Sequence, residues 1–278
     1  MNHVKINQAP LFVFFLILIL ASGVVEALII TKNMEVLYPV LMWLPALAAF
    51  AATGWKIKKS KEKFALLGFF RHCGFHACGV KYILLGVLLP LVYLLIPYMI
   101  YWKLYPDNFA YTGVALSLIL KDLAPMGIIG IFMGLLTATG EEIGWRGFLV
   151  PELYEKFGLN KTLLFSGLIW CAWHLPLLIF GGYMEGTPVW YQVPAFILCI
   201  FPVGVMAGLL AIKTGSMWPC AFLHAAHNNF DQAIFSLITR GDNMMYYVSE
   251  TGLLTILCAW ILAIILYLTM RKDIAQMR

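Results

Sequence analysis

Charged residues are scarce in this chain, and their scarcity excludes an ordinary soluble fold. Of the 278 residues, 12% are charged and 62% are hydrophobic, and the mean hydropathy is +0.85. A soluble domain carries about 25% charged and about 45–50% apolar residues. The composition therefore indicates an all-α, polytopic integral membrane protein.

Paired cysteines and soluble linkers are also missing. The six cysteines are scattered, mostly within apolar runs, and no two form a CxxC pattern. A secreted disulfide framework is excluded, and the cysteines are typical of small buried hydrophobic residues. No soluble domain, repeat or low-complexity segment interrupts the apolar runs. Residues 1–278 are therefore expected to form a single transmembrane domain.

The long apolar runs predict about eight transmembrane helices around an intramembrane cavity. A helix needs about 20 apolar residues to cross the hydrocarbon core. The run from Leu11 to Ile30 is longer than a signal-peptide core and lacks a clear cleavage site, so we expect an uncleaved first span. The predicted spans are 10–30, 36–54, 82–102, 114–138, 161–180, 190–212, 216–238 and 252–270. Glycines recur along the fourth span, and small residues let helices approach closely in lipid.

The basic residues predict the orientation of these spans. With the N-terminus in the cytoplasm, four of the nineteen Lys and Arg residues fall on the far side: Lys32, Lys103, Lys121 and Arg240. The other fifteen fall on the cytoplasmic side: Lys5, Lys56, Lys58, Lys59, Lys61, Lys63, Arg71, Lys81, Arg146, Lys156, Lys161, Lys213, Arg271, Lys272 and Arg278. This asymmetry follows the positive-inside rule. We expect a multi-pass protein of the plasma membrane with both termini in the cytoplasm.

The segment from Lys56 to Lys81 has a different character. It begins with a basic run and continues with Phe64, Phe69, Phe70 and Phe75. Basic and aromatic residues in this order are typical of an amphipathic helix on anionic headgroups. A topology anchor is favoured over a role in steering substrate. The basic excess reports membrane topology, and no nucleic-acid partner is expected.

Strongly polar side chains occur inside three of the apolar segments, where they are costly unless they face a protein interior or a water-filled cavity. The first segment contains Glu141, Glu142 and Arg146. Glu142 and Arg146 are four residues apart on a helix and can form an ion pair. Glu141 is rotated by about 100° from its neighbour. This carboxylate is therefore free to act as a general acid or base, and a charge cluster at a helix end is the competing interpretation.

The other two segments supply imidazole and carboxamide groups. His174 follows Trp170 and Trp173 in the fifth span, where a packing role is the alternative. His224 and Asn228 are four residues apart and share a helix face. Each signal is ambiguous alone, but their coincidence in three spans predicts one shared site.

These residues form an ordered set of motifs that resembles the CPBP family of intramembrane proteases. The motifs are EExxxR at 141–146, an aromatic residue followed by His at 170–174, and HxxxN at 224–228. The family includes type II CAAX prenyl endopeptidases and Abi proteins of bacteriocin processing and immunity. The second motif commonly starts with Phe, and here it starts with Trp170. The order of the motifs and the eight-span layout also fit.

The resemblance implies a role for each residue. Glu141 would take a proton from the attacking water, which His174 would help to hold. His224 and Asn228 would donate to the tetrahedral oxygen, and Arg146 would fix Glu142. The cytoplasmic orientation predicts a cytoplasm-facing hydrolytic site, with Glu141 near the cytoplasmic end of its span. The substrate would be a small peptide or a lipid-modified, membrane-anchored protein.

The cofactor and two other functions remain open at this point. Zinc or another divalent metal could be held by Glu141, His174 and His224, but HExxH is absent and a metal-independent reaction is an equal alternative. His72 and His76 also have metal-ligand spacing, which we interpret as accidental. A catalytically silent scaffold or an ion-coupled transporter could use the same buried groups. No inverted repeat supports a transporter, and the oligomeric state cannot be predicted.

Overall fold

The computed structural model describes residues 9–60 and 65–277, and these residues form ten α-helices. The helices are α1 (Ala9–Lys32), α2 (Tyr38–Ser60), α3 (Leu66–His72), α4 (Val80–Leu104), α5 (Leu116–Glu142), α6 (Val150–Phe180), α7 (Val189–Thr214), α8 (Trp218–Asn228), α9 (Met244–Tyr247) and α10 (Leu253–Gln276). No β-strand forms in these ranges, so the all-α prediction is confirmed. Five residues used in the predictions lie outside the described residues: Lys5, Lys61, Lys63, Phe64 and Arg278.

Two π-helical segments, Ile143–Leu149 and Asn229–Phe235, continue α5 and α8 without a break. The polar motifs at 141–146 and 224–228 lie at or beside these two junctions. π-Helical turns are rare and are frequently found at functional sites.

Six helical runs of the described chain are long and apolar enough to cross a membrane. One of them, Leu116–Phe180, has 65 residues and covers both the fourth and the fifth predicted spans. It bends at Gly158, whose φ of 72° is accessible to glycine at little cost. The seventh predicted span, 216–238, corresponds to α8 and its π-helical continuation and is not among the six. A polytopic membrane protein is therefore confirmed, and the count of eight spans stays a prediction.

Glycines bring α2 against the end of α5, as their recurrence in this region led us to expect. A Cβ on Gly140 would lie 2.7 Å from the Met42 carbonyl oxygen, and one on Gly144 would lie 2.7 Å from the Pro45 carbonyl oxygen. Real Cβ atoms do not approach that closely, so these positions allow contact between the two backbones. The two acids between these glycines are thereby held against α2.

The segment between α2 and α4 differs from the predicted amphipathic helix. Helix α3 covers Leu66–His72 only, and Gly74 has a φ of 82° that ends the helical path. The Gly74 carbonyl oxygen accepts a hydrogen bond from the Met217 amide at 3.0 Å. Phe75 packs on Trp218 at 5.7 Å between ring centroids. These contacts attach the segment to the protein and not to headgroups alone.

The helix bundle has two ends of different character. At the first, which we call the basic end, lie the α2–α4 connection, the bend at Gly158, the α7–α8 connection and the C-terminus of α10. Lys213 pairs there with Asp273 at 2.9 Å, and Lys56 pairs with Glu152 at 2.6 Å. The opposite end, which we call the loop end, contains the α1–α2 and α6–α7 connections and residues 244–252.

Candidate active site

The ion pair predicted from helix spacing is confirmed. Arg146 Nη1 donates to Glu142 Oε1 over 2.8 Å, and both side chains are less than 4% exposed. The guanidinium also lies over the Trp170 ring, with Cζ 4.2 Å from the ring centroid. His224 Nδ1 contacts the same Glu142 oxygen at 3.0 Å. Through Oε1, Glu142 thus joins the first motif to the third.

Glu141 has a separate environment made of two indole groups. Trp145 Nε1 donates to Glu141 Oε2 over 3.1 Å, and Trp170 Nε1 donates to the same oxygen over 3.0 Å. The glutamate is 2% exposed and lines the central cavity. Hydrogen bonds to an ionised acceptor are the stronger kind. The free carboxylate expected from the helix geometry is therefore fixed by neutral donors and not by the arginine.

The two histidines present one nitrogen each to the cavity. His174 Nδ1 lies 2.9 Å from the Trp170 carbonyl oxygen, and this carbonyl can only accept. Nδ1 therefore carries the proton and Nε2 is left as an acceptor. His224 uses its own Nδ1 for Glu142. Asn228, one turn beyond His224, is half-buried and also lines the cavity.

The cavity encloses about 830 Å³ and is bounded by residues of all three motifs. Glu141, His174, His224 and Asn228 line its inner part, and Trp170 separates Glu141 from the Arg146 guanidinium. All six predicted site residues therefore come together. Four of them face the cavity, while the Glu142–Arg146 pair lies behind its wall.

A second polar network on the same cavity was missed in the sequence. Glu250 accepts hydrogen bonds from Tyr183 (3.0 Å), Gln232 (3.2 Å) and His227 (2.8 Å). His227 is held on its other side by the Tyr93 hydroxyl at 2.7 Å. Glu250 stands in a loop before the last span and belongs to no motif. An acid beside an apolar run was the sole signal that could have drawn attention to it.

The charge states of this network follow from its surroundings. Burial and the Glu250 carboxylate raise the pKa of Tyr183 well above its ordinary value, so the hydroxyl remains a donor. Burial alone would raise the pKa of Glu250, but the hydrogen bond and charge of His227 outweigh it and leave that pKa below its ordinary value. The Tyr183 ring stacks on His174 with centroids 6.2 Å apart. Glu250 is thereby connected to a motif residue through Tyr183.

The described residues do not form a ready metal centre. No group of three or more His, Cys, Asp or Glu side chains is arranged to hold a metal ion in the ranges 9–60 and 65–277. Glu141 Oε2 is occupied by two indole donors, and His224 Nδ1 by Glu142. His72 Nδ1 contacts the carbonyl oxygen of Gly68, so the His72/His76 pattern has a local structural explanation.

The position of the cavity conflicts with one expectation. Its outer residues include Asn33, Glu185 and Met245, all from connections at the loop end. The expected cytoplasmic basic end and the expected cytoplasm-facing site therefore point to opposite ends of the bundle. The side of the membrane from which the cavity is reached stays a prediction. The α5–α6 run continues beyond Glu141 towards the basic end.

Fold and site together define a class: a polytopic all-α membrane protein with a polar cavity lined by an acid, two imidazoles and a carboxamide. Residues 124–230 match the family model described as type II CAAX prenyl endopeptidase Rce1-like. This range contains all six predicted site residues. The predicted resemblance to these membrane proteases is therefore confirmed.

A curated relative agrees with the family model. A protein named CAAX prenyl protease 2, from Methanococcus maripaludis, is 30% identical over 141 residues. The match covers 49% of this chain and 49% of that protein. The chain thus matches about half the length of this curated relative.

Proposed function

We propose that this protein is an intramembrane endopeptidase that hydrolyses a peptide bond with water activated by Glu141. One observation carries the proposal: a buried carboxylate, fixed by two indole groups, lines the same cavity as His174, His224 and Asn228. A hydrolase needs a base beside an oxyanion site in a place shielded from bulk water. The match to CAAX prenyl endopeptidases supports the same reaction class.

Glu141 and His174 prepare the water in this mechanism. Both indoles donate to Oε2 of Glu141, so Oε1 is available to a water molecule. His174 Nε2 accepts the second hydrogen of that water, because Nδ1 is bound to the Trp170 carbonyl. Glu141 then takes the proton as the oxygen attacks the peptide carbonyl. The same proton passes to the leaving amine when the tetrahedral intermediate collapses.

His224 and Asn228 stabilise the negative oxygen of that intermediate. The Asn228 carboxamide donates an N–H, and His224 donates from Nε2 when its ring is protonated beside Glu142. Glu142 holds His224 at 3.0 Å and Arg146 at 2.8 Å, so it positions the donor without contacting substrate. Removal of one oxyanion donor costs about 100- to 1000-fold in kcat in well-studied hydrolases.

A reaction assisted by a divalent metal is the competing proposal. Glu141, His174 and His224 would be its ligands, with water in the fourth position. Glu141 would have to be released from the indoles to coordinate fully. Metal analysis of purified protein, together with activity after dialysis against a chelator, separates the two schemes.

The substrate is proposed to be a small peptide or a lipid-modified, membrane-anchored protein. The curated relative carries the name CAAX prenyl protease 2, which suggests a prenylated substrate. A segment beside a membrane anchor can reach a cavity of about 830 Å³ that lies within the helical bundle. We further propose that the protein resides in the cell membrane with both termini cytoplasmic, as its basic residues indicate.

The test compares Glu141→Gln with Glu152→Gln in purified protein. Both changes replace a carboxylate with its isosteric amide, but Glu152 pairs with Lys56 at the basic end, away from the cavity. Peptide cleavage is expected to be lost with Glu141→Gln and kept with Glu152→Gln. Cleavage that survives in both variants would refute the role of Glu141. A scaffold or transporter would then explain the buried groups better.

A further inference from the structure

The structure separates the mouth of the cavity from the basic end of the bundle. We propose that substrate enters from the membrane face opposite the cytoplasm, so that the protein acts on peptide segments exposed outside the cytoplasm. The direction of access rests on charge and geometry alone. The cleavage itself rests on the proposed function.

The distribution of charge orients the bundle. Among the described residues, ten Lys and Arg side chains lie at the basic end: Lys56, Lys58, Lys59, Arg71, Lys81, Lys156, Lys161, Lys213, Arg271 and Lys272. Four lie towards the loop end: Lys32, Lys103, Lys121 and Arg240. Arg146 is buried at the site and is not counted. A ratio of ten to four places the basic end in the cytoplasm by the positive-inside rule.

Contacts between distant parts of the chain show that these basic residues share one end. Lys213, after α7, reaches Asp273 in α10. Ser216 Oγ, in the α7–α8 connection, donates to the carbonyl oxygen of His76 over 2.6 Å. Lys56 reaches Glu152 beyond the π-helical segment. The basic end is therefore one assembled surface.

The cavity opens at the other end. Its outer wall includes Asn33 and Glu35 from the α1–α2 connection, Glu185 from the α6–α7 connection, and Glu250. The hydrogen bond from the Tyr183 hydroxyl to Glu250 links the α6–α7 connection to residues 244–252. Under the charge-derived orientation, each of them faces the non-cytoplasmic side.

The depth of Glu141 agrees with access from the loop end. Its neighbour Gly140 packs on Met42, four residues after α2 begins at Tyr38. At 1.5 Å per residue this is about 6 Å along the helix axis, whereas Lys56 is about 21 Å further on. A peptide entering from the loop end thus reaches the carboxylate after little more than one helical turn. On the other side of the site, the α2–α4 connection packs against Gly147, six residues after Glu141, and so separates the site from the surface of the basic end.

Cysteine labelling in intact cells tests the direction of access. Glu185→Cys and Val36→Cys place exposed thiols at the loop end, and Lys272→Cys places one at the basic end. The parent protein, whose six cysteines are buried or half-buried, gives the background. We expect a membrane-impermeant maleimide to label the two loop-end variants in intact cells and the Lys272 variant only after permeabilisation. The reverse pattern would overturn the proposal.

A second arm measures cleavage from each side. A membrane-impermeant quenched peptide is added to intact cells and to inside-out vesicles, with Glu141→Gln as the control. Cleavage that depends on Glu141 is expected in intact cells and not in the vesicles. The opposite preference contradicts outer access. No cleavage from either side, combined with the expected labelling, counts against the proposed function and leaves the direction of access supported.

Discussion

The buried ion pair behind the cavity gives the sharpest stability prediction. Arg146→Met removes the guanidinium, keeps an unbranched side chain over the Trp170 ring, and leaves the buried Glu142 carboxylate with His224 as its remaining partner. Oε2 of Glu142 already has no hydrogen-bond partner among the described residues. Removal of one partner from a buried pair costs about 3–5 kcal/mol. We expect a loss of this size in the free energy of unfolding.

An exposed pair provides the matched control. Lys213→Met breaks the contact with Asp273, whose side chain is 59% exposed. Surface pairs of this kind contribute about 0–1 kcal/mol. Reversible unfolding of both variants by denaturing detergent in mixed micelles, followed by tryptophan fluorescence, measures the difference. The gap between Arg146→Met and Lys213→Met should be at least about 2 kcal/mol.

A double substitution separates charge from packing. In Glu142→Gln with Arg146→Met no buried charge is left unpaired, so a good part of the lost stability should return. Equal losses for Arg146→Met and Lys213→Met would refute the reasoning. So would a double variant that is less stable than the sum of its single changes.

Three further outcomes follow from particular contacts. Gly144→Ala should lower stability by about 1–3 kcal/mol, because its Cβ would meet the α2 backbone, whereas Gly54→Ala meets nothing within 4 Å and should be neutral or stabilising in the same unfolding assay. Trp170→Phe should lower kcat about 10- to 100-fold with little change in KM, because Glu141 keeps one indole donor instead of two; an unchanged kcat would show that this donor is dispensable. Glu250→Gln should also lower kcat about 10- to 100-fold without unfolding the protein, and normal turnover would exclude a positioning role for the second network.

The convergence of the three motifs could be predicted because lipid makes isolated polar groups costly. That argument required Glu141, His174 and Asn228 to share an interior without any knowledge of the fold. The partner of Arg146 was also predictable, since residues four apart meet on a helix. The first inference depends on the lipid surroundings and the second on residue spacing along a helix. Both can therefore be made from the sequence without the three-dimensional fold.

Features that depend on loops and bends were not predictable in the same way. Glu250 lines the cavity because of the path that residues 244–252 follow. This segment has no hydrophobic periodicity from which its path could be predicted. The fourth and fifth predicted spans belong to one long helical run that bends at Gly158, and hydropathy does not detect this continuity. The end of the bundle at which the cavity opens was not predictable for the same reason. The span boundary near 138 suggested that Glu141 ends its helix, whereas the helix continues to the bend.

The π-helical segment after Glu142 has a genetic consequence. Each of its hydrogen bonds spans one residue more than in an α-helix, so Ile143–Leu149 holds an extra residue within a continuous helical path. Loss of a single codon in this stretch would restore an ordinary α-turn and keep the helix unbroken. The helix before and after the segment would keep its register, because the π-turn already absorbs the extra residue. If the lost residue lies between Glu142 and Arg146, however, the partners of the ion pair would be three residues apart instead of four, and the geometry of their contact would change.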